Sequence, residues 1–71
     1  MNWDQIKGNW KQFQGETRRR WGKLTDDEVS VIGGNKDKLV GKIQERYGFE
    51  KEQAEREVDE FASHLDASNR H

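Results

Sequence analysis

Seventy-one residues make a single domain of all-α character, close to the lower size limit for a chain that folds without staples. With no Cys there is no disulfide framework or thiolate metal site, and no apolar run approaches the ~20 residues of a membrane span. Net charge is −1, mean hydropathy −1.33 and charged residues 38%; three Trp, three Phe and one Tyr offset that polarity and predict a folded but marginal domain.

Asn2 is placed to cap a first helix. Trp3, Ile6, Trp10, Phe13, Thr17 and Trp21 then recur at spacings of three and four, within an arc of about 80° on one helix face. Gly22 suits a left-handed cap, so a helix over 3–21 is expected. Thr25-Asp26-Asp27-Glu28 is a capping box, with Leu24 and Val29 where a hydrophobic staple needs them. Asp26 and Asp27 also favour the positive end of the helix dipole. A short helix over 26–32 follows, stopped by Gly33-Gly34.

Leu39, Val40, Ile43 and Tyr47 share a face of a third helix over 36–47, ended by Gly48. A fourth, over 51–65, carries Ala54, Val58, Phe61, Ala62 and Leu65 as a narrow stripe, with Phe49 and Ala54 stapling its start. Residues 66–71 have no apolar period and are expected to fray. The reading is a compact bundle of four short helices packed as two crossed hairpins. Its expected core is Ile6, Trp10, Phe13, Trp21, Leu24, Val29, Ile32, Leu39, Val40, Ile43, Tyr47, Ala54, Val58, Phe61 and Leu65.

In this order the chain resembles the CsbD-like family of small bacterial stress proteins. The matching stretches are Gly8-Asn9-Trp10-Lys11-Gln12, Gly15, and Trp21-Gly22-Lys23-Leu24-Thr25-Asp26-Asp27. Leu39-Val40-Gly41-Lys42-Ile43-Gln44-Glu45-Arg46-Tyr47-Gly48 and Gln53-Ala54-Glu55 continue the match. The resemblance implies a cytosolic protein induced in the general stress response or stationary phase, built as four or five short helices. It carries over no enzymatic activity, cofactor or binding residue. The Arg18-Arg19-Arg20 run and the stretch after Phe61 depart from the pattern.

Charge is unevenly placed: residues 1–24 sum to +4 and residues 49–71 to −4. Attraction between the two halves within one bundle is the simple explanation; a basic face for an anionic partner is the sharper one. Lys7, Lys11 and Arg18 align in one stripe beside Trp3 and Trp21, which is what single-stranded nucleic acid or the ribosome would require. Against it, Asp4 neutralises part of the stripe, Arg19 and Arg20 point elsewhere, and the Trp rings are needed inside. A membrane-surface role for the first helix would leave the others without a core.

No Ser sits in a nucleophile motif, and no ligand set has metal spacing. His64 pairs loosely with Glu60 in the simplest reading. No enzyme, cofactor, metal or small-molecule substrate is expected, and the chain is read as a monomer. Gly8, Gly15 and Gly41 project away from the apolar faces, marking either a loose surface or the approach of a partner. The leading reading is a hydrophilic stress protectant or weak interaction module.

Overall fold

The computed structural model describes residues 2–68, with side chains as far as Leu65. It is all-α, with five helices rather than four: α1 (Trp3–Gly8), α2 (Trp10–Arg20), α3 (Asp26–Ile32), α4 (Lys36–Tyr47) and α5 (Lys51–Ser68). α1 packs on α2, α2 on α3, α3 on α4, and α4 on α5.

The expected first helix is divided at Asn9, whose backbone (φ −117°, ψ 25°) leaves helical geometry for one residue. Its side-chain amide donates to the Gln5 carbonyl at 3.0 Å, the same acceptor that its own N–H uses at 3.1 Å. That local competition bends the chain while the apolar stripe runs on. A second correction concerns Gly22. α2 stops at Arg20, and Trp21 turns out in an extended conformation (φ −120°, ψ 76°). The left-handed glycines are Gly33, Gly34 and Gly48. Trp21 uses this exit to set its ring edge-on against Phe61 of α5, with centroids 4.9 Å apart.

The helix starts follow their caps. Asn2 and Gln5 form a reciprocal box at α1, and Thr25 and Glu28 form one at α3. The side chain of Asn35 accepts from the Lys38 N–H at α4. α5 extends to Ser68, three residues past its expected end, and residues 69–71 of the expected frayed tail lie outside the described residues.

Every residue of the expected core is buried except Tyr47. Tyr47 is half-buried at the rim: its ring stacks on Phe49 (5.4 Å), lies 4.9 Å from the Lys23 ammonium, and its hydroxyl accepts the Lys23 N–H at 3.2 Å. A phenol needs a polar partner, and this rim supplies one. Thr17 is the one buried polar residue among those described. Its hydroxyl donates to the Phe13 carbonyl at 2.8 Å, one turn back, which lets it sit in the core.

The turn between α3 and α4 depends on Gly34. A Cβ there would stand 2.5 Å from the Lys7 Cα, so the turn lies directly on the α1 backbone.

Candidate functional site

Of the three sequence-predicted contact residues, the fold keeps Lys7 and Lys11 together and sets Arg18 apart. Lys7 and Lys11 flank the bend at Asn9 and line one shallow depression of about 330 Å³ with Trp10 and Gln12. Lys7 also borders the Gly34–Asn35 turn. Arg18 lies two turns further along α2 and bonds the Asp26 carboxylate at the start of α3. Of the aromatic rings near this stripe, Trp3 is half-buried and borders a depression that Lys7 also lines, while the others are buried. Trp10 and Phe13 are 6% exposed and Trp21 is 2% exposed. The Trp10 indole N–H donates to the buried Val29 carbonyl at 2.8 Å, pinning α2 to α3.

The three consecutive arginines each find a different acid. Arg18 takes Asp26, Arg19 takes Glu16 on its own helix (3.5 Å), and Arg20 reaches across to Glu60 (3.3 Å) and Glu57 (3.7 Å) on α5. Glu60, expected beside His64, is therefore held by Arg20. Lys36 at the start of α4 meets Asp59 of α5 at 2.9 Å, and this bond raises its pKa above the ordinary lysine value. The basic front half and acidic back half thus attract each other within one molecule, as their charges predict.

Glu28 joins capping to packing. One carboxylate oxygen accepts the Thr25 N–H at 3.0 Å. The other accepts from Arg46 of α4 and lies 3.6 Å from the Lys42 ammonium. The Thr25 bond first, and then the Arg46 guanidinium, lower the Glu28 pKa to about 2. Arg46 is correspondingly shifted upward, chiefly by its bond to Glu28. The acids read from sequence as cap and dipole partners thus include one that also ties α3 to α4.

The described surface carries several open depressions. One of about 620 Å³ is lined by Glu52, Glu55, Arg56, Asp59, Glu60 and Ser63, all on the flank of α5. Among the described residues, no three His, Cys, Asp or Glu side chains gather as a metal site requires, and no helix is long and apolar enough to cross a membrane. Sequence reasoning missed one feature. Val31 of α3 is 68% exposed, beside Gly41 of α4, in a groove of about 280 Å³. The signal was present: Val31 falls outside the Val29/Ile32 face of a short helix.

The sequence has close relatives among known proteins. The chain is 61% identical to a UPF0337 protein of Pectobacterium atrosepticum over 64 residues, covering 90% of this chain and 93% of the relative. It is 62% identical to the UPF0337 protein YjbJ of Escherichia coli (strain K12) over 58 residues, 82% of this chain and 84% of that one. A UPF0337 protein of Pseudomonas aeruginosa is 54% identical over 65 residues, 92% of this chain and all of the relative. The sequence profile described as CsbD-like matches residues 4–56, and with relatives this similar the chain belongs to the CsbD-like family.

Proposed function

We propose that this chain is a non-enzymatic stress-response protein of the bacterial cytoplasm that acts as a hydrophilic protectant or weakly adhesive module. The observation that supports the reading is the character of its outer surface. Large apolar groups turn inward with Val31 as the exposed exception among the described residues, while basic and acidic side chains neutralise each other in pairs. Such a surface exposes little apolar area, so its contacts with other proteins are weak and reversible. Crowded between other proteins during drying or osmotic stress, it would keep their exposed apolar patches apart.

Drying a desiccation-sensitive enzyme with an equal mass of this protein or of serum albumin tests the reading. Greater recovery of activity with this protein is expected; recovery no better than with albumin overturns it. The nucleic-acid reading is the weaker one, because Arg18 is engaged with Asp26 and the Trp10 and Trp21 rings are buried, which leaves Trp3 as the one half-buried indole near the stripe. It requires a salt-dependent mobility shift with single-stranded DNA that Lys7→Glu/Lys11→Glu abolishes.

A further inference from the structure

The outer face of α4 carries Lys38, Gly41, Lys42 and Glu45 at helical spacings of three and four, on the side away from Leu39, Val40 and Ile43. With Val31 and Ile32 of α3 these residues line the open groove of about 280 Å³. A Cβ on Gly41 would meet nothing within 4 Å, so nothing inside the molecule calls for glycine there, although glycine weakens a helix interior. The groove therefore presents bare helix backbone beside the one large apolar side chain left exposed among the described residues.

The charges on this face are self-complementary. Lys38 and Glu45 lie at equal distances either side of the midpoint between Gly41 and Lys42, about 5 Å of helix rise each way. A two-fold axis through that midpoint sets α4 antiparallel to α4 of a second copy. Lys38 then opposes the partner's Glu45, and Glu45 opposes the partner's Lys38. Lys42, the other charge near the axis, is drawn back to its own chain by Glu28 at 3.6 Å and Glu45 at 3.8 Å, which limits like-charge repulsion there. The absent side chain of Gly41 lets the two backbones approach, and Val31 closes the apolar edge.

We propose that the α3–α4 groove is the contact surface of a two-fold symmetric homodimer, with α4 packed antiparallel on α4 of a second copy and the axis between Gly41 and Lys42. Each side contributes one helix face and one valine, so the interface is small and the association weak and reversible. The dimer goes beyond the protectant reading and replaces the expectation of a strict monomer with reversible, concentration-dependent pairing.

Sedimentation velocity on the full chain, at concentrations up to about 1 mM, tests it. The wild-type chain is expected to show a rising fraction of dimer, and Val31→Asp to abolish it. Lys38→Glu and Glu45→Lys, each alone, place like charges opposite each other twice per dimer and are expected to weaken association about fivefold or more. An equimolar mixture of these two variants restores opposite charges at both positions and is expected to recover dimer as a heterodimer. All three substituted side chains are solvent-facing, and unchanged helical circular dichroism verifies that each variant folds. A wild-type chain still monomeric at about 1 mM overturns the proposal. So does a dimer indifferent to Val31→Asp, which would use another surface, or a mixture no better associated than the single variants, which would remove the two-fold pairing.

Discussion

Glu28 on α3 accepts two hydrogen bonds from Arg46 on α4, from Nε at 2.8 Å and Nη2 at 2.5 Å, while its second oxygen caps α3 through the Thr25 N–H. A single carboxylate thus starts one helix and fastens it to the next.

That arrangement has an acid signature. The folded pKa of Glu28, about 2, lies below the ordinary value of 4.5, so its charged form is favoured by folding. The resulting stabilisation is complete above about pH 4.5 and is lost as pH falls through the folded value near 2. Glu28→Gln should therefore melt lower than wild type at neutral pH, with the gap closing as pH is lowered across that window. Thermal melts followed by circular dichroism at stepped pH measure it, and a gap independent of pH would contradict this role.

Two glycines should respond oppositely to alanine. At Gly34, φ is +84° and an added Cβ would stand 2.5 Å from the Lys7 Cα, so Gly34→Ala should destabilise by about 2–4 kcal/mol. Gly15 lies in α2, where an added Cβ meets nothing within 4 Å, and Gly15→Ala should stabilise by about 1 kcal/mol. Urea denaturation of the two variants decides it by the sign of the change.

Leu24, 1% exposed, precedes the α3 cap and belongs to the same buried cluster as Val29, also 1% exposed. Leu24→Ala should cost about 2–5 kcal/mol, a large part of the stability of so small a domain. A calorimetric transition that hardly moved would place Leu24 outside the core.

Trp10→Phe keeps an aromatic ring in the core and removes the indole N–H that reaches the Val29 carbonyl at 2.8 Å. A loss of about 1–3 kcal/mol is expected from the lost bond and the smaller ring. Equilibrium unfolding monitored by circular dichroism checks the magnitude.

These cases separate what is local from what is not. The caps at Asn2 and Thr25, the stops at Gly33 and Gly48, and the buried faces of α3, α4 and α5 were legible, because each depends on residues within a turn or two. The bend at Asn9 was hidden because the apolar spacing from Ile6 through Trp10 to Phe13 passes through it undisturbed. Gly34 looked like a helix stop; that it also rests on Lys7 requires α1 to be in place. The same holds for the contact residues. Lys7 and Lys11 were legible as neighbours, but Arg18 is claimed by an acid beyond the next turn of the chain. Val31 and Gly41 come from different helices, so their groove has no continuous sequence pattern.

The pairing of each helix with the next along the chain bears on how fast the structure is made. Loop closures between sequence neighbours are short and entropically cheap, and helical chains wired in this way fold on microsecond to millisecond timescales. With no proline to isomerise and no cysteine to oxidise, the slow covalent and isomerisation steps are absent. The longer-range contacts, such as Trp21 on Phe61, Arg20 on Glu57 and Glu60, and Gly34 on Lys7, must search across longer loops. A chain wired in this way is expected to regain its helices and their packing on the same short timescale whenever native conditions return.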